Sequence, residues 1–281
     1  MRVLDRIDVV RKELDEARAQ GRAVGFVPTM GALHEGHLSL IRRSVAERDL
    51  TVVSIFVNPL QFGPSEDFAR YPRPRERDLG VGAGAGADFV FAPSVEEMYA
   101  EPIVTRVTVA GLGEGLEEVT RPGHFAGVAT VVTKLFGIVG PCRAYFGEKD
   151  YQQLLVVSRL AADLSLPVEV VGCPTIRDTD GLALSSRNAY LSVGERRAAT
   201  VLHRALRAAA EAVTRGERDA GRLRATMGDV VSSEPLARLD YAEVADPATL
   251  RPLERVTGEA RLLIAAWVGQ TRLIDNRGVC A

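Results

Sequence analysis

The sequence predicts an α/β fold: a parallel sheet with helices on both faces, followed by a smaller C-terminal α+β domain. Two observations carry the first half. Short apolar and β-branched runs alternate with stretches of helical apolar spacing, and such alternation needs crossover helices over a parallel sheet. A third observation marks the second half: after Pro174 the alternation gives way to a polar stretch, an Ala-rich helical stretch and three strand-like runs.

Taken in order, a first helix has Asp8 as its cap, Val10, Leu14 and Ala17 on one face, and Gly21 as its stop. Residues 23–27 form a strand closed by Pro28, and Leu38, Ile41 and Val45 share a helical face. Residues 50–57 read as a buried strand, and residues 87–91 as another, stopped by Pro93. Phe125, Val128, Val132, Leu135 and Val139 keep helical spacing, residues 144–146 suit a strand, residues 151–163 a helix and residues 168–171 a strand. Gly80 to Ala87 alternates Gly with Ala or Val. It precedes a strand instead of linking a strand to a helix, the wrong polarity for a dinucleotide loop, so it reads as a flexible surface connection. The domain boundary falls near residue 175, giving domains of residues 1–175 and 176–281. In the second, Thr179-Asp180-Gly181 is a turn signal, and Ser192 with Glu195 forms a capping box opening a long helix with Val201, Leu202, Ala205, Leu206 and Ala209 on one face. Residues 241–244, 262–268 and 272–274 are strand-like.

Composition narrows the function classes. The 281 residues are 46% apolar and 26% charged, ordinary for a soluble globular chain, and the formal charge of −2 argues against a nucleic-acid or anionic-membrane surface. No apolar run approaches the roughly 18 residues of a membrane span. The N-terminus lacks the apolar core of a secretory signal. Cys142, Cys173 and Cys280 are far apart and odd in number, so neither a zinc site nor a disulfide framework is visible and a cytoplasmic location is the simplest reading. Of 35 basic residues only Lys12, Lys134 and Lys149 are lysines.

Five clusters carry candidate chemistry. Pro28 to His37 lies between the first strand and its helix, at the carboxyl end where open α/β sheets bind ligands. Gly31 and Gly36 permit close backbone approach, the helix start offers free N–H groups to a phosphate, and His34 and His37 can reach the same phosphate. His34-Glu35-Gly36-His37 is not a His-Glu-x-x-His zinc helix, and no third metal ligand is evident. The second cluster, Phe146 to Gln153, follows another strand: Lys149 suits an ATP phosphate, while Asp150 and Gln153 either cap the next helix or face the cleft. The third, Leu184 to Asn188, sets Ser185 and Ser186 beside Arg187, which suits a triphosphate but also an ordinary polar turn. In the fourth, Asn58 and Gln61 offer amides that read hydroxyls or a carboxylate, unless Asn58-Pro59 is only a turn. The fifth is Arg121-Pro122-Gly123-His124, a Gly/Pro loop opening a helix.

His34-x-Gly36-His37 resembles the signature of the class I nucleotidyltransferase-like superfamily, and the order of all five clusters is similar to that of the pantothenate synthetase (pantoate–β-alanine ligase) family. The match runs through Pro28–Leu38, Ser54–Phe62 with Tyr71-Pro72-Arg73, Phe89–Ser94, Arg121–Leu135, Tyr145–Gln153 and Thr175–Leu191. The resemblance implies a Rossmann-like first domain and ATP-dependent joining of pantoate to β-alanine through a bound pantoyl adenylate, releasing pyrophosphate and then AMP. It implies Met30, His34, His37, Gly147, Lys149, Asp150, Ile176, Ser185 and Arg187 on ATP, with His34, His37, Lys149, Ser185, Ser186 and Arg187 acting in the reaction. It implies Gln61 and Gln153 on pantoate with Asn58 beside them, Arg121 and His124 flanking the cleft, hinge closure with ATP, Mg²⁺ as cofactor and a homodimer. Where the family usually carries paired acids that help hold magnesium, this chain has Glu76-Arg77-Asp78, leaving Asp78 as the one metal candidate. Two rivals stay open: another adenylyltransferase acting on a phosphorylated cofactor precursor, and a non-enzymic ATP-sensing module. The amides of Gln61 and Gln153 favour a small polyol acid over the first, and retention of His34, His37, Lys149 and Arg187 speaks against the second.

Overall fold

The computed structural model describes residues 1–64 and 66–281. The chain forms two compact units, one of Met1–Glu148 with Gln152–Pro174, the other of Lys149–Tyr151 with Thr175–Ala281. Lys149 thus groups with the C-terminal part of the chain, whereas the sequence reading counts it in the first domain.

The first unit runs β1 (Arg2–Leu4), α1 (Ile7–Ala19), β2 (Val24–Thr29), α2 (Glu35–Glu47), β3 (Leu50–Ile55), α3 (Arg75–Gly84), β4 (Phe89–Phe91), α4 (Val95–Met98), α5 (Glu117–Thr120), α6 (His124–Val139), β5 (Cys142–Gly147), α7 (Tyr151–Asp163, all but its first residue) and β6 (Val168–Cys173). The sheet order is β1-β4-β3-β2-β5-β6 and every pairing is parallel. Successive residues in each strand supply opposite faces. Phe26, Val52, Phe91 and Phe146 pack with α1 and α6, while Val27, Val53, Val90 and Tyr145 pack with Leu40 and Ile41 of α2. Both faces are therefore covered, as a parallel sheet requires. After β4 the chain returns to the far side of β2, so the order reverses between β2 and β5, and the crevice beyond their carboxyl ends is where such sheets take ligands.

Local expectations fail where tertiary contacts take over. Asp8 does not cap α1; Arg6 holds the N-cap position and Asp8 sits in the first turn, where a carboxylate still faces the positive helix end. Pro28 lies inside β2, which pairs with β5 only at Gly25 and Phe26, so the proline falls beyond that ladder. The Gly80–Ala87 stretch is not a free connection: α3 runs through it to Gly84, with Gly82, Ala85 and Ala87 buried and Leu79 and Val81 packed against the α2-side core. Low helix propensity is overridden there by burial.

At the end of α2, Glu47 accepts from Arg43 Nε (2.9 Å), Arg143 NH1 (3.0 Å) and the Tyr145 hydroxyl (2.9 Å). The Arg43 hydrogen bond leads in pulling its carboxyl down to about 2, with Tyr145 next. A depressed folded-state pKa gives stability that is present above the unfolded value and lost as pH falls through the folded one. Glu47→Gln is expected to lower Tm at neutral pH, and its difference from the native chain should shrink between about pH 4.5 and 2. A Tm difference independent of pH would refute this.

The second unit holds α8 (Val193–Ala198), α9 (Val201–Thr214), α10 (Ala220–Ser232) and the antiparallel sheet β7 (Ala237–Ala245), β8 (Glu259–Val268) and β9 (Thr271–Cys280), in order β7-β8-β9. The Ser192/Glu195 capping box forms, but it opens only the short α8; the long helix restarts at Val201 and buries Val201, Leu202, Ala205, Leu206 and Ala209 as spaced. Among the described residues no helix is long and apolar enough to cross a membrane.

Candidate active site

The turn from β2 into α2 is built by residues that do not themselves carry chemistry. Gly31 has φ +81°, and a Cβ there would lie 2.9 Å from Asp78 Oδ2 and 3.1 Å from Ile55 Cγ2, so only glycine fits. Ala32 follows at φ +50°, uncommon for a residue with a side chain. The Asp78 carboxylate holds it there, accepting Ala32 N–H and Leu33 N–H, each at 2.7 Å. Asp78 is 1% exposed and each of its oxygens accepts one backbone N–H of this turn, so it anchors the histidine turn.

The two histidines then cap α2 reciprocally. Gly36 N–H donates to His34 Nδ1 (3.2 Å), and His34 N–H donates to His37 Nδ1 (3.4 Å). Their rings lie 4.1 Å apart. An Nδ1 that accepts carries no proton, so the neutral ring's hydrogen sits on Nε2. Each histidine thus becomes a hydrogen-bond donor through Nε2, at the positive N-terminal end of α2. That is the chemistry of an anion seat.

The amide pair divides its labour. Asn58 is 1% exposed and accepts from Leu60 N–H (3.3 Å) and the Tyr99 hydroxyl (2.9 Å), while donating to Gln61 Oε1 (3.1 Å) and Gly127 O (3.2 Å). All four of its hydrogen-bonding positions are used within the protein, one of them in support of Gln61. Gln61 turns Nε2 toward Met30 Sδ at 3.1 Å, which joins it to the histidine turn. Arg121 and His124 hold Gln61 from behind: His124 Nδ1 donates to Gln61 O (2.9 Å), Arg121 NH1 reaches His124 Nε2 (3.0 Å), and Arg121 pairs with Glu66 (2.6 Å). These two residues brace the peptide that carries the amide. At Gly127, a Cβ would stand 2.2 Å from Leu60 O, so α6 can approach this segment only with glycine there. Of the adjacent glutamines on α7, Gln152 is buried and donates to Leu112 O (2.9 Å), and Gln153 is half-buried.

In the second unit, Lys149 Nζ lies 3.4 Å from Asp150 Oδ1, in the 3₁₀ turn Glu148–Asp150, and the Lys149 carbonyl accepts from Asn276 Nδ2 (2.8 Å). Residues 176–184 fold back on themselves through Asp178 N–H to Leu182 O and Leu184 N–H to Ile176 O, turning at Gly181 (φ +93°). Ser185 then caps the 3₁₀ helix Ser186–Tyr190, accepting Arg187 N–H at 3.3 Å. Lys149, Ser185 and Asn188 line one small cavity of this unit, and the buried Asn188 Oδ1 there has no partner. Arg177 clamps Asp275 with two hydrogen bonds of 2.6 and 2.8 Å, fixing β9 under the same cavity.

Tyr99, Asp78 in its anchoring role and Asn276 escape sequence reasoning, because each acts across more than 40 positions of chain and no local motif surrounds it.

Comparisons with known proteins accord with this geometry. A family model described as Pantoate-beta-alanine ligase matches residues 2–278. The pantothenate synthetase of Moorella thermoacetica is 54% identical over 276 residues, covering 98% of each chain. The crystal structure of pantoate-β-alanine ligase (pantothenate synthetase) from Thermus thermophilus superimposes with a TM-score of 0.94 at 51% identity, covering 99% of each chain. A ligase from Francisella tularensis, solved with βγ-ATP and β-alanine, gives a TM-score of 0.80 at 33% identity over 99% of this chain and 97% of that one.

Proposed function

The chain belongs to the pantoate–β-alanine ligase family, whose reaction is the ATP-dependent ligation of pantoate to β-alanine, and from that premise we propose how its residues divide the work. A pantoate carboxylate oxygen attacks the α-phosphorus of ATP, the bond to the β-phosphate bridge breaks, and pyrophosphate leaves. The β-alanine amine then attacks the activated carbonyl, AMP departs with the carboxylate's former oxygen, and the amine loses a proton. Neither step calls for a protein nucleophile; the first needs alignment and stabilisation of phosphate charge.

The observation that carries the reading is the reciprocal cap of His34 and His37, which makes both rings Nε2 donors at a helix N-terminus. We assign to them the charge that develops on the phosphates, with Met30 and Gly147 along the nucleotide. Lys149, Asp150, Ile176, Ser185, Ser186 and Arg187 are assigned to ATP as well. Gln61 and Gln153 take the pantoate hydroxyls and carboxylate. Magnesium is read as arriving with the substrate as Mg·ATP, held mostly by phosphate oxygens and water, with Asp78 as the protein's one candidate contact through water. A homodimer and a cytoplasmic location belong to the same proposal.

Exchange of labelled pyrophosphate into ATP tests it. Exchange is expected to require pantoate and Mg²⁺ but not β-alanine. Exchange without pantoate would point to another adenylyltransferase, and none at all with ATP-binding protein would point to a nucleotide sensor; either sinks the two-step reading.

A further inference from the structure

We propose that Tyr99 is a positioning residue for the acid substrate: with Leu60 N–H and Gly127 O it holds the Asn58 amide, which in turn keeps the Gln61 amide facing Met30 and the histidine turn, so that the site reads its ligand with N–H donors. The inference rests on the function proposed above and deepens it.

A primary amide is nearly symmetric in shape, so its orientation is set only by its hydrogen-bond partners. Around Asn58 those partners leave one solution. Leu60 N–H is a donor and nothing else, and it points at Oδ1 from 3.3 Å. Gly127 O is an acceptor and nothing else, and it faces Nδ2 at 3.2 Å. The Tyr99 hydroxyl, 2.9 Å from Oδ1, adds the shorter of the two bonds to that oxygen. Turning the amide over would set donor against donor at Leu60 and oxygen against oxygen at Gly127. With Asn58 fixed, its second N–H meets Gln61 Oε1 at 3.1 Å and keeps that oxygen turned toward Asn58. Gln61 is then left to present Nε2, whose neighbour in the structure is the Met30 sulfur, 3.1 Å away. A thioether is a weak acceptor, so a substrate oxygen can replace it at little cost. The result is an amide turned to recognise a hydroxyl or carboxylate oxygen, the chemistry of a hydroxy acid.

Tyr99 is built to keep its proton and its place. Burial pushes its phenol pKa up, so the O–H remains a donor. Its ring meets Phe56 edge-on at 5.8 Å, and the Lys134 ammonium, which also donates to Met98 O, stands 5.5 Å over the ring. One of the chain's three lysines thus serves this ring.

Steady-state kinetics with Tyr99→Phe test the relay. Pantoate KM is expected to rise about fivefold, with KM for ATP and β-alanine within about twofold. In the Gln61→Ala background, Tyr99→Phe should add no further rise, because its effect passes through that amide. Asn58→Asp places an acceptor-only group against Gln61, draws Nε2 toward it and turns Oε1 outward; pantoate KM should then rise by more than about tenfold, again leaving ATP nearly untouched. Equal changes in all three KM values, no change in pantoate KM, or additivity with Gln61→Ala would overturn the proposal. Should Tyr99→Phe fail to fold, the Asn58→Asp kinetics decide alone by the same substrate selectivity. Pantoate-dependent pyrophosphate exchange by the unaltered chain is the control, and its failure would count against the function, not the relay.

Discussion

His34→Ala and His37→Ala are each expected to slow pantoyl-adenylate formation by roughly 10²–10³-fold, equivalent to about 3–4 kcal/mol, while weakening ATP binding far less. The reason is in the tautomer. Both rings accept backbone N–H at Nδ1, so both carry hydrogen on Nε2 and donate from there. A donor held before the reaction begins stabilises developing phosphate charge without reorganising. His34 has a second role as the N-cap of α2, and losing a cap costs about 1 kcal/mol of stability. His34→Asn separates the two roles, since asparagine is a good cap but has no Nε2 to extend toward a phosphate. Its Tm should stay near the native value while the rate still falls. Single-turnover quench at saturating ATP and pantoate measures this; an unchanged rate in either alanine variant would refute the assignment.

Lys149→Arg, which preserves charge, should fold yet lose at least about tenfold in adenylation, or ~1.4 kcal/mol of transition-state stabilisation. The side chain is only 18% exposed, its carbonyl is tied to Asn276, and it lines a small cavity with Ser185 and Asn188. An ammonium can move as a point charge in such a space, whereas a guanidinium is wider, planar and suited to forked contacts. Lys12→Arg is the control: Lys12 is 75% exposed on α1 and paired with Glu16 at 3.9 Å, so the exchange should be near neutral. A native rate in Lys149→Arg would mean that positive charge alone suffices and that coding bias explains the rarity of lysine.

The histidine turn shows how far local reading reaches. Strand, glycine turn, histidine pair and helix start lie within about ten residues, and the bonds that define the pair span two and three positions. Such a unit is legible because its partners are neighbours in sequence. Asn58 shows the limit. Asn58-Pro59-Leu60-Gln61 announces two amides, but nothing in those four residues says that one would be spent entirely inside the protein. Gly127 O and the Tyr99 hydroxyl decide that, from 69 and 41 positions away. Asp78 is a similar case: no local motif marks it as a backbone anchor, and only the proximity of α3 to the β2–α2 turn makes it one.

What the sequence determined by itself is the α/β class, the α+β second half, and the histidine turn, all properties carried by periodicity or by a few adjacent residues. What only the tertiary structure decided is β1, too short to signal itself, the helix through Gly80–Gly84, and the identity of each buried polar partner. The physical reason is common to these. Burial overrides propensity, and a buried hydrogen-bonding group must be satisfied by whatever the sheet order brings beside it. That order joins segments the chain keeps far apart, so the support of Gln61 by Asn58, Tyr99, Arg121 and His124 exists only once the strands have paired.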